Sequence, residues 1–171
     1  GLSLLDPSMA GYTFSGWSPA VGAISGATTY TAQYSTEKVK YSVSLTKGTG
    51  ISAVSGAGSY EWGASVTIDA TVSTGYTWKN WTGYSTETTK KLTFTMPKAN
   101  VSYTANATAN IYTITLNNQS ATSAGTTAYY EKYASGNYTS SSATTTISKI
   151  TVPTKTGYVF GGYYTATNGS G

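Results

Sequence analysis

The sequence predicts a mainly β fold, built from small tandem modules with little or no helix. One seven-residue phrase occurs three times, as GYTFSGW at 11–17, GYTWKNW at 75–81 and GYVFGGY at 157–163. Repetition at intervals of tens of residues is typical of module arrays. Between the phrases, short segments alternate apolar with polar residues, which is the period of strands with one buried face. The repeated phrase and this alternation together indicate repeated β modules.

The composition agrees with sheets that have polar outer faces. Sixteen tyrosines and four tryptophans stand among many Thr, Ser, Gly and Ala residues, and aromatic residues favour strands. The chain has no cysteine and no histidine, which excludes disulfides and catalysis by histidine. Its ten basic residues are all lysine and are scattered. A nucleic-acid footprint would cluster on one face and favour arginine, so no nucleic-acid partner is predicted.

Each phrase belongs to a larger unit that also recurs. An opening strand such as Tyr41–Leu45 precedes the second phrase, and a closing strand with the letters YTA follows it at Tyr103–Ala107. The first phrase has only the closing strand and the third has only the opening strand, so we expect truncated outer modules. The predicted domains are the C-terminal part of a module at 1–39, a complete module at 40–110 and the N-terminal part of a third at 111–171.

Inside the complete module, period-two alternation predicts four strands, with glycine-containing turns between them. These predicted strands lie at 41–45, 65–70, 92–96 and 101–105. The third module carries a longer insert between its opening strand and its phrase. The Tyr-Tyr-Glu-Lys-Tyr segment of that insert, residues 129–133, is the one place where the sequence leaves room for a short helix.

The phrase itself is interpreted first as a core-building device. Its leading glycine suits a turn with positive φ, and the first two aromatic residues, two positions apart, point to the same face of a strand. The third aromatic residue has the opposite parity, which indicates a bulge at Gly16 and Gly162, although Asn80 stands there in the middle phrase. The alternative interpretation is an exposed aromatic platform that stacks on sugars.

The wider pattern resembles a known family. A proline stands four residues before the phrase at Pro7 and Pro153, and YTAQY follows the first phrase, as in the Listeria-Bacteroides repeat, the B-repeat type of internalins. The middle unit is similar to the divergent B-repeat and lacks the proline. The resemblance implies small β-grasp-like modules in secreted or wall-attached bacterial proteins, mostly without enzymatic activity, and it transfers no binding residues.

Catalytic chemistry finds little support in the residue inventory. The best pair among the six carboxylates is Glu61 with Asp69, and both are expected on outer faces or strand ends rather than opposed in a cleft. Serines have no histidine to activate them. No catalytic, cofactor-binding or metal-binding residue is therefore predicted, and no cofactor. A lysine–asparagine crosslink would need a proximity that sequence does not reveal.

The sequence favours a non-enzymatic stalk or spacer of an extracellular bacterial surface protein that projects another domain. Its partners are then neighbouring modules of the same chain, with no segment inserted into a membrane. The rival hypothesis is an adhesion module for host or polymeric glycans or a surface protein, and an enzyme fragment acting on glycans is a distant third. The candidate ligand-stacking residues for adhesion are Tyr129, Tyr130, Tyr133 and Tyr138, because tyrosine offers large contact area at little entropy cost.

Overall fold

The computed structural model describes residues 4–166 and contains β strands without any helix in that part of the chain. This confirms the mainly β fold class, while the β-grasp assignment stays a prediction. With no helix among the described residues, none there could span a membrane. The strands are β1 (Phe14–Ser18), β2 (Thr31–Tyr34), β3 (Lys40–Lys47), β4 (Ile51–Ser55), β5 (Gly58–Glu61), β6 (Ser65–Val72), β7 (Tyr76–Gly83), β8 (Leu92–Thr95), β9 (Val101–Ala109), β10 (Ile111–Thr115), β11 (Ala128–Lys132) and β12 (Gly136–Tyr138).

The prediction that residues 129–133 could form a short helix is wrong. That segment is almost entirely strand β11, which pairs antiparallel with β10 from Ile111↔Lys132 to Thr115↔Ala128. Tyrosine favours strands, and the cross-strand partners supply the packing that a single isolated helical turn would lack.

The chain forms two compact units. Unit 1 comprises Gly1–Ser73 and Trp78–Ala107, and unit 2 comprises Thr74–Thr77 and Thr108–Gly171. The short segment at 74–77, which holds the leading glycine of the second phrase, thus clusters with the residues that follow β9. The predicted division at 39/40 and 110/111 stays a prediction.

Two sheets make up most of unit 1. The first has strand order β5-β3-β9-β7, and in it the opening strand β3 runs parallel to the closing strand β9, with Val43 opposite Val101. The second has order β4-β6-β8 and is antiparallel, with Val66 opposite Phe94. The four strands predicted for the middle module are all present, as β3, β6, β8 and β9.

The core of unit 1 is a single cluster to which both sheets contribute. Alternation along β6 buries Val66, Ile68 and Ala70 while the residues between them face outward, as expected for a half-buried strand. The buried hydrophobic residues of the described part of the chain all belong to this cluster: Val43, Ile51, Val66, Ile68, Ala70, Trp81, Met96, Val101, Tyr103 and Ala105.

The first phrase forms a hairpin of its own in unit 1. Strands β1 and β2 pair antiparallel, and the register slips between Phe14 and Gly16, where Gly16 has φ of 136°. This is the bulge predicted from the parity of the aromatic residues, and it brings Trp17 back to the side of Phe14, with ring centroids 5.7 Å apart. Gly162 in the third phrase has a similar φ of 129°.

Candidate functional site

The candidate tyrosines lie on the β10-β11-β12 sheet of unit 2, but they do not form one platform. Tyr129 is opposite Ile114, whereas its neighbour Tyr130 is opposite Tyr138 on β12. Because successive residues of a strand point to opposite faces, Tyr130 and Tyr138 share one face and Tyr129 lies on the other. All three are half-buried. Their use in ligand stacking stays a prediction.

Tyr129 borders an open cavity beside this sheet. It lines a cavity of about 430 Å³ together with Asn137, Ile147 and Lys149. The lining mixes apolar side chains with polar groups, which is the ordinary composition of a small ligand site. No described residue of this lining is a carboxylate, so the cavity offers surface for contact but no acid or base of that kind.

Tyr133 has a different place from the other three tyrosines. It follows the last residue of β11, and its ring lies directly over Gly75 and edge-on to Tyr76, with centroids 5.4 Å apart and planes at 77°. A Cβ added to Gly75 would clash with the ring. The backbone fixes this position, because the N–H of Tyr133 donates to the carbonyl of Asn110 at 2.9 Å, and the N–H of Asn110 donates to the carbonyl of Gly75 at 2.9 Å.

Unit 1 contains the same arrangement a second time. The indole of Trp62 lies over Gly11, where an added Cβ would be 3.2 Å from Cε3. The N–H of Trp62 donates to the carbonyl of Val39 at 3.0 Å, and the N–H of Val39 donates to the carbonyl of Gly11 at 2.7 Å. We call this set a glycine–aromatic joint: a phrase glycine, a connector residue and the aromatic residue that follows the strand paired antiparallel with the opening strand of the next repeat.

The register of the strands shows why the two joints are equivalent. Lys40, the first residue of β3, pairs with Glu61, and Ile111, the first residue of β10, pairs with Lys132. The connector residue precedes the first member of each pair, and the aromatic residue follows the second. Sequence reasoning did not identify the joint. The available signal was the shared position of Trp62 and Tyr133 relative to their opening strands.

The last aromatic residue of the middle phrase serves the core. Trp81 is 0% exposed, its Nε1 donates to the carbonyl of Lys90 at 2.9 Å, and its ring meets those of Trp78 and Tyr103 edge-on at 5.4 and 6.2 Å. A side chain without exposed area has no face to offer a sugar. For this phrase the structural interpretation is therefore the correct one, and the stacking platform is excluded at Trp81.

The two carboxylates considered for catalysis have different surroundings. Asp69 accepts from Lys90 Nζ at 2.6 Å and from the N–H of Ala70 at 2.7 Å, and Lys90 Nζ also donates to the Ala70 carbonyl at 2.8 Å. The hydrogen bond from the Lys90 ammonium, chiefly, holds the pKa of Asp69 below its ordinary value. A carboxylate held ionised in this way is a poor general acid, and Glu61 lies exposed at the end of β5.

The acidic side chains lie apart from one another in the part of the chain that the structure describes. No group of three Asp, Glu, His or Cys side chains lies together there as a metal site requires. The lysine that lies closest to a carboxylate, Lys90, is bound to Asp69 and a backbone carbonyl rather than to an asparagine. What the described surface offers is contact: backbone hydrogen bonds, aromatic rings and short polar side chains.

Comparison with known proteins agrees with the resemblance seen in the sequence. Residues 41–111 match the family model described as the divergent InlB B-repeat domain. No curated protein and no solved structure matches the chain. Domains of this family occur in bacterial surface proteins and are typically not catalytic. The matched segment runs from the opening strand β3 through the closing strand β9, and this module is thus similar over its whole length to the divergent InlB B-repeat domain.

Proposed function

We propose that this chain is a non-enzymatic spacer region of an extracellular bacterial surface protein, whose connectors are held by glycine–aromatic joints and whose modules project another domain. The observation that carries the proposal is the occurrence of the joint twice. A spacer transmits position along a chain only if each connector is fixed, and the joint fixes a connector through its backbone.

The connectors support this function because they are short and hydrogen-bonded. Only Asn110 separates β9 from β10. Between β2 and β3, Ser35 donates its N–H to the carbonyl of Thr13 at 2.8 Å, and its Oγ accepts from the Thr13 N–H at 3.0 Å. The hydroxyl of Ser35 also donates to the Glu37 carbonyl at 2.8 Å. A flexible tether would have a solvated backbone instead.

A distance measurement tests the spacer function directly. The chain has no cysteine, so an introduced cysteine is the only site at which a thiol-reactive spin label attaches. Suitable substitutions are Ser44→Cys on β3 and Ser141→Cys, because both positions are exposed. Pulsed electron paramagnetic resonance then gives the distribution of distances between the labels. A narrow distribution that broadens in Gly75→Ala supports the proposal. A distribution as broad in the parent chain as in a variant with a Gly-Ser insertion after Asn110 contradicts it.

Adhesion is the competing function, and exposed aromatic residues favour it. Tyr84, Tyr112, Tyr158 and Tyr164 have from 45% to 72% of their surface exposed, and rings of this kind stack on sugars. The test is binding of the labelled chain to a panel of glycans, mucins and matrix proteins. Saturable binding below roughly 100 µM, about −5.5 kcal/mol, would establish adhesion in place of the spacer if it is lost in a folded chain with alanine at the exposed Tyr84, Tyr112, Tyr158 and Tyr164, or at the predicted Tyr129, Tyr130, Tyr133 and Tyr138.

A further inference from the structure

The third phrase has the backbone of a joint without the aromatic residue. Gly157 has φ of 80°, and the two joint glycines, Gly11 and Gly75, both have φ of 83°. The turn that leads into the glycine is also the same in the first and third phrases: Tyr12 donates to the Met9 carbonyl at 3.1 Å, as Tyr158 donates to that of Lys155 at 3.0 Å. The conformation is thus already formed at the third site.

Exposure distinguishes the third site from the other two. Gly11 and Gly75 are buried, and the tyrosine that follows Gly75 is half-buried. Gly157 is exposed, and no described residue lies within 4 Å of the position where its Cβ would be. Tyr158 is 72% exposed. The glycine is therefore left uncovered, while the tyrosine ring beside it has Lys155 Nζ 4.9 Å from its centroid.

We infer that the turn at Gly157 and Tyr158 is a docking site for the tryptophan or tyrosine of another B-repeat-like module. Both equivalent sites in this chain are covered by such a residue, Trp62 in one and Tyr133 in the other, which defines the chemistry of the occupant. The missing Cβ allows a flat ring to lie on the backbone, and the ring of Tyr158 offers the edge-on contact that Tyr76 makes with Tyr133.

The inference rests on the proposed function, because it extends the same joint to a third position. The occupant also needs a connector whose N–H can donate to the Gly157 carbonyl and whose carbonyl can accept from the aromatic residue, as Val39 and Asn110 do. A free indole or phenol lacks both groups. The site therefore selects a complete module that begins directly after a closing strand.

The experiment lengthens the full chain by a second copy of its own residues 97–171, which supplies a closing strand, the connector Asn110 and Tyr133. Cysteines replace Gly157 and the Tyr133 of the added copy, and a mild oxidant is applied. Two cysteines form a disulfide only if their Cα atoms lie within about 7 Å. We expect the intact mass to fall by two hydrogens, with no thiol left for alkylation.

Matched pairs calibrate this result. Gly75→Cys with Tyr133→Cys in the parent chain is expected to crosslink. Gly157→Cys with a cysteine at Tyr112 of the added copy is expected to stay reduced. If the calibrating pair crosslinks and the Gly157 pair does not, the inference is overturned while the spacer function stands. If the calibrating pair also fails, the joint itself is absent and both fall.

A second measurement avoids cysteine and any misfolding that it causes. Hydroxyl-radical footprinting reports the exposure of each tyrosine side chain. In the parent chain Tyr158 is expected to react much faster than Tyr76. In a lengthened chain whose added copy carries Tyr158→Phe, the rate of the remaining Tyr158 should fall to that of Tyr76. An unchanged rate at Tyr158, in a sample where Tyr76 keeps its protection, overturns the inference.

Discussion

The indole of Trp62 lies over the α-carbon of Gly11, so closely that a Cβ at position 11 would be 3.2 Å from its Cε3. The same relation between a phrase glycine and a downstream aromatic residue recurs in unit 2. The phrase therefore has two structural roles: in its first two copies the first residue receives a ring at a joint, and in all three copies the last aromatic residue packs against another aromatic ring. Both roles concern contacts within the chain, which is a physical reason for one chain to repeat the same seven residues.

The joint predicts that Gly75→Ala lowers the free energy of unfolding more than Gly157→Ala does. Both glycines have nearly the same positive φ, so both substitutions carry the backbone cost of about 1–2 kcal/mol. Only at Gly75 does the new methyl group meet a ring, that of Tyr133, which adds about 1–3 kcal/mol of overpacking. Urea unfolding followed by circular dichroism checks the difference. Equal effects of the two substitutions would contradict the joint.

Tyr133 is predicted to act through its ring and not through its hydroxyl group. Tyr133→Phe keeps the contacts with Gly75 and Tyr76 and should change the free energy of unfolding by less than about 0.5 kcal/mol. Tyr133→Ala removes an edge-on aromatic pair and the apolar area buried with it, and should cost about 1–3 kcal/mol. The tryptophans all lie in unit 1, so tyrosine emission is the signal to follow. A phenylalanine variant as unstable as the alanine variant would indicate a role for the hydroxyl group.

Trp81 is predicted to be the residue on which the middle module depends most. It is fully buried, and Trp81→Ala should cost about 3–5 kcal/mol, which is a large share of the roughly 5–15 kcal/mol of a typical domain. Trp78→Phe is the matched control: it loses the hydrogen bond from Nε1 to the Thr88 carbonyl at 2.7 Å and should cost only about 1 kcal/mol. The remaining tryptophans report unfolding by fluorescence. A Trp81→Ala chain as stable as the Trp78→Phe control would contradict the placement of Trp81 in the core.

The ion pair of Asp69 and Lys90 predicts that the free energy of unfolding depends on pH in the acidic range. The pKa of Asp69 is lowered by folding, so the pair contributes above the unfolded-state pKa of about 3.9 and its contribution is lost as pH falls through the folded-state pKa. About a third of the Asp69 side chain is exposed. Solvent screening therefore limits the contribution of the ion pair to the free energy of unfolding to at most about 1 kcal/mol. Asp69→Asn should therefore destabilise the chain at pH 7 and matter progressively less below about pH 4.

The control for this prediction is Lys91→Gln, since Lys91 has only a minor electrostatic influence on Asp69 and makes no ion pair with it in the described structure. Stability measured by urea unfolding across this pH range gives the comparison. A cost of Asp69→Asn that stays constant, or grows, on acidification would be evidence against the ion pair.

Strands with strict alternation were the ones that the sequence could predict. Segments such as Ser65–Val72 and Val101–Ala109 have one apolar face, so their period is visible locally. The short strands β4, β5 and β12 were not predicted, because three to five residues are too few to show an alternating period. A short helix was considered for residues 129–133 because five residues cannot reveal a period. The segment is a strand because it pairs with β10.

By itself the sequence determined the mainly β class, the recurrence of its segments and the similarity of its middle module to the divergent B-repeat. These three features depend on the local hydrophobic period and on short sequence motifs that recur, and both are visible in residues that are neighbours along the chain. Only the tertiary structure decided that Tyr133 is separated from Tyr129 and Tyr130 and lies on Gly75, and that Trp62 lies on Gly11. Contacts between residues some fifty positions apart depend on strand register and on backbone hydrogen bonds of the connectors, which no local pattern encodes.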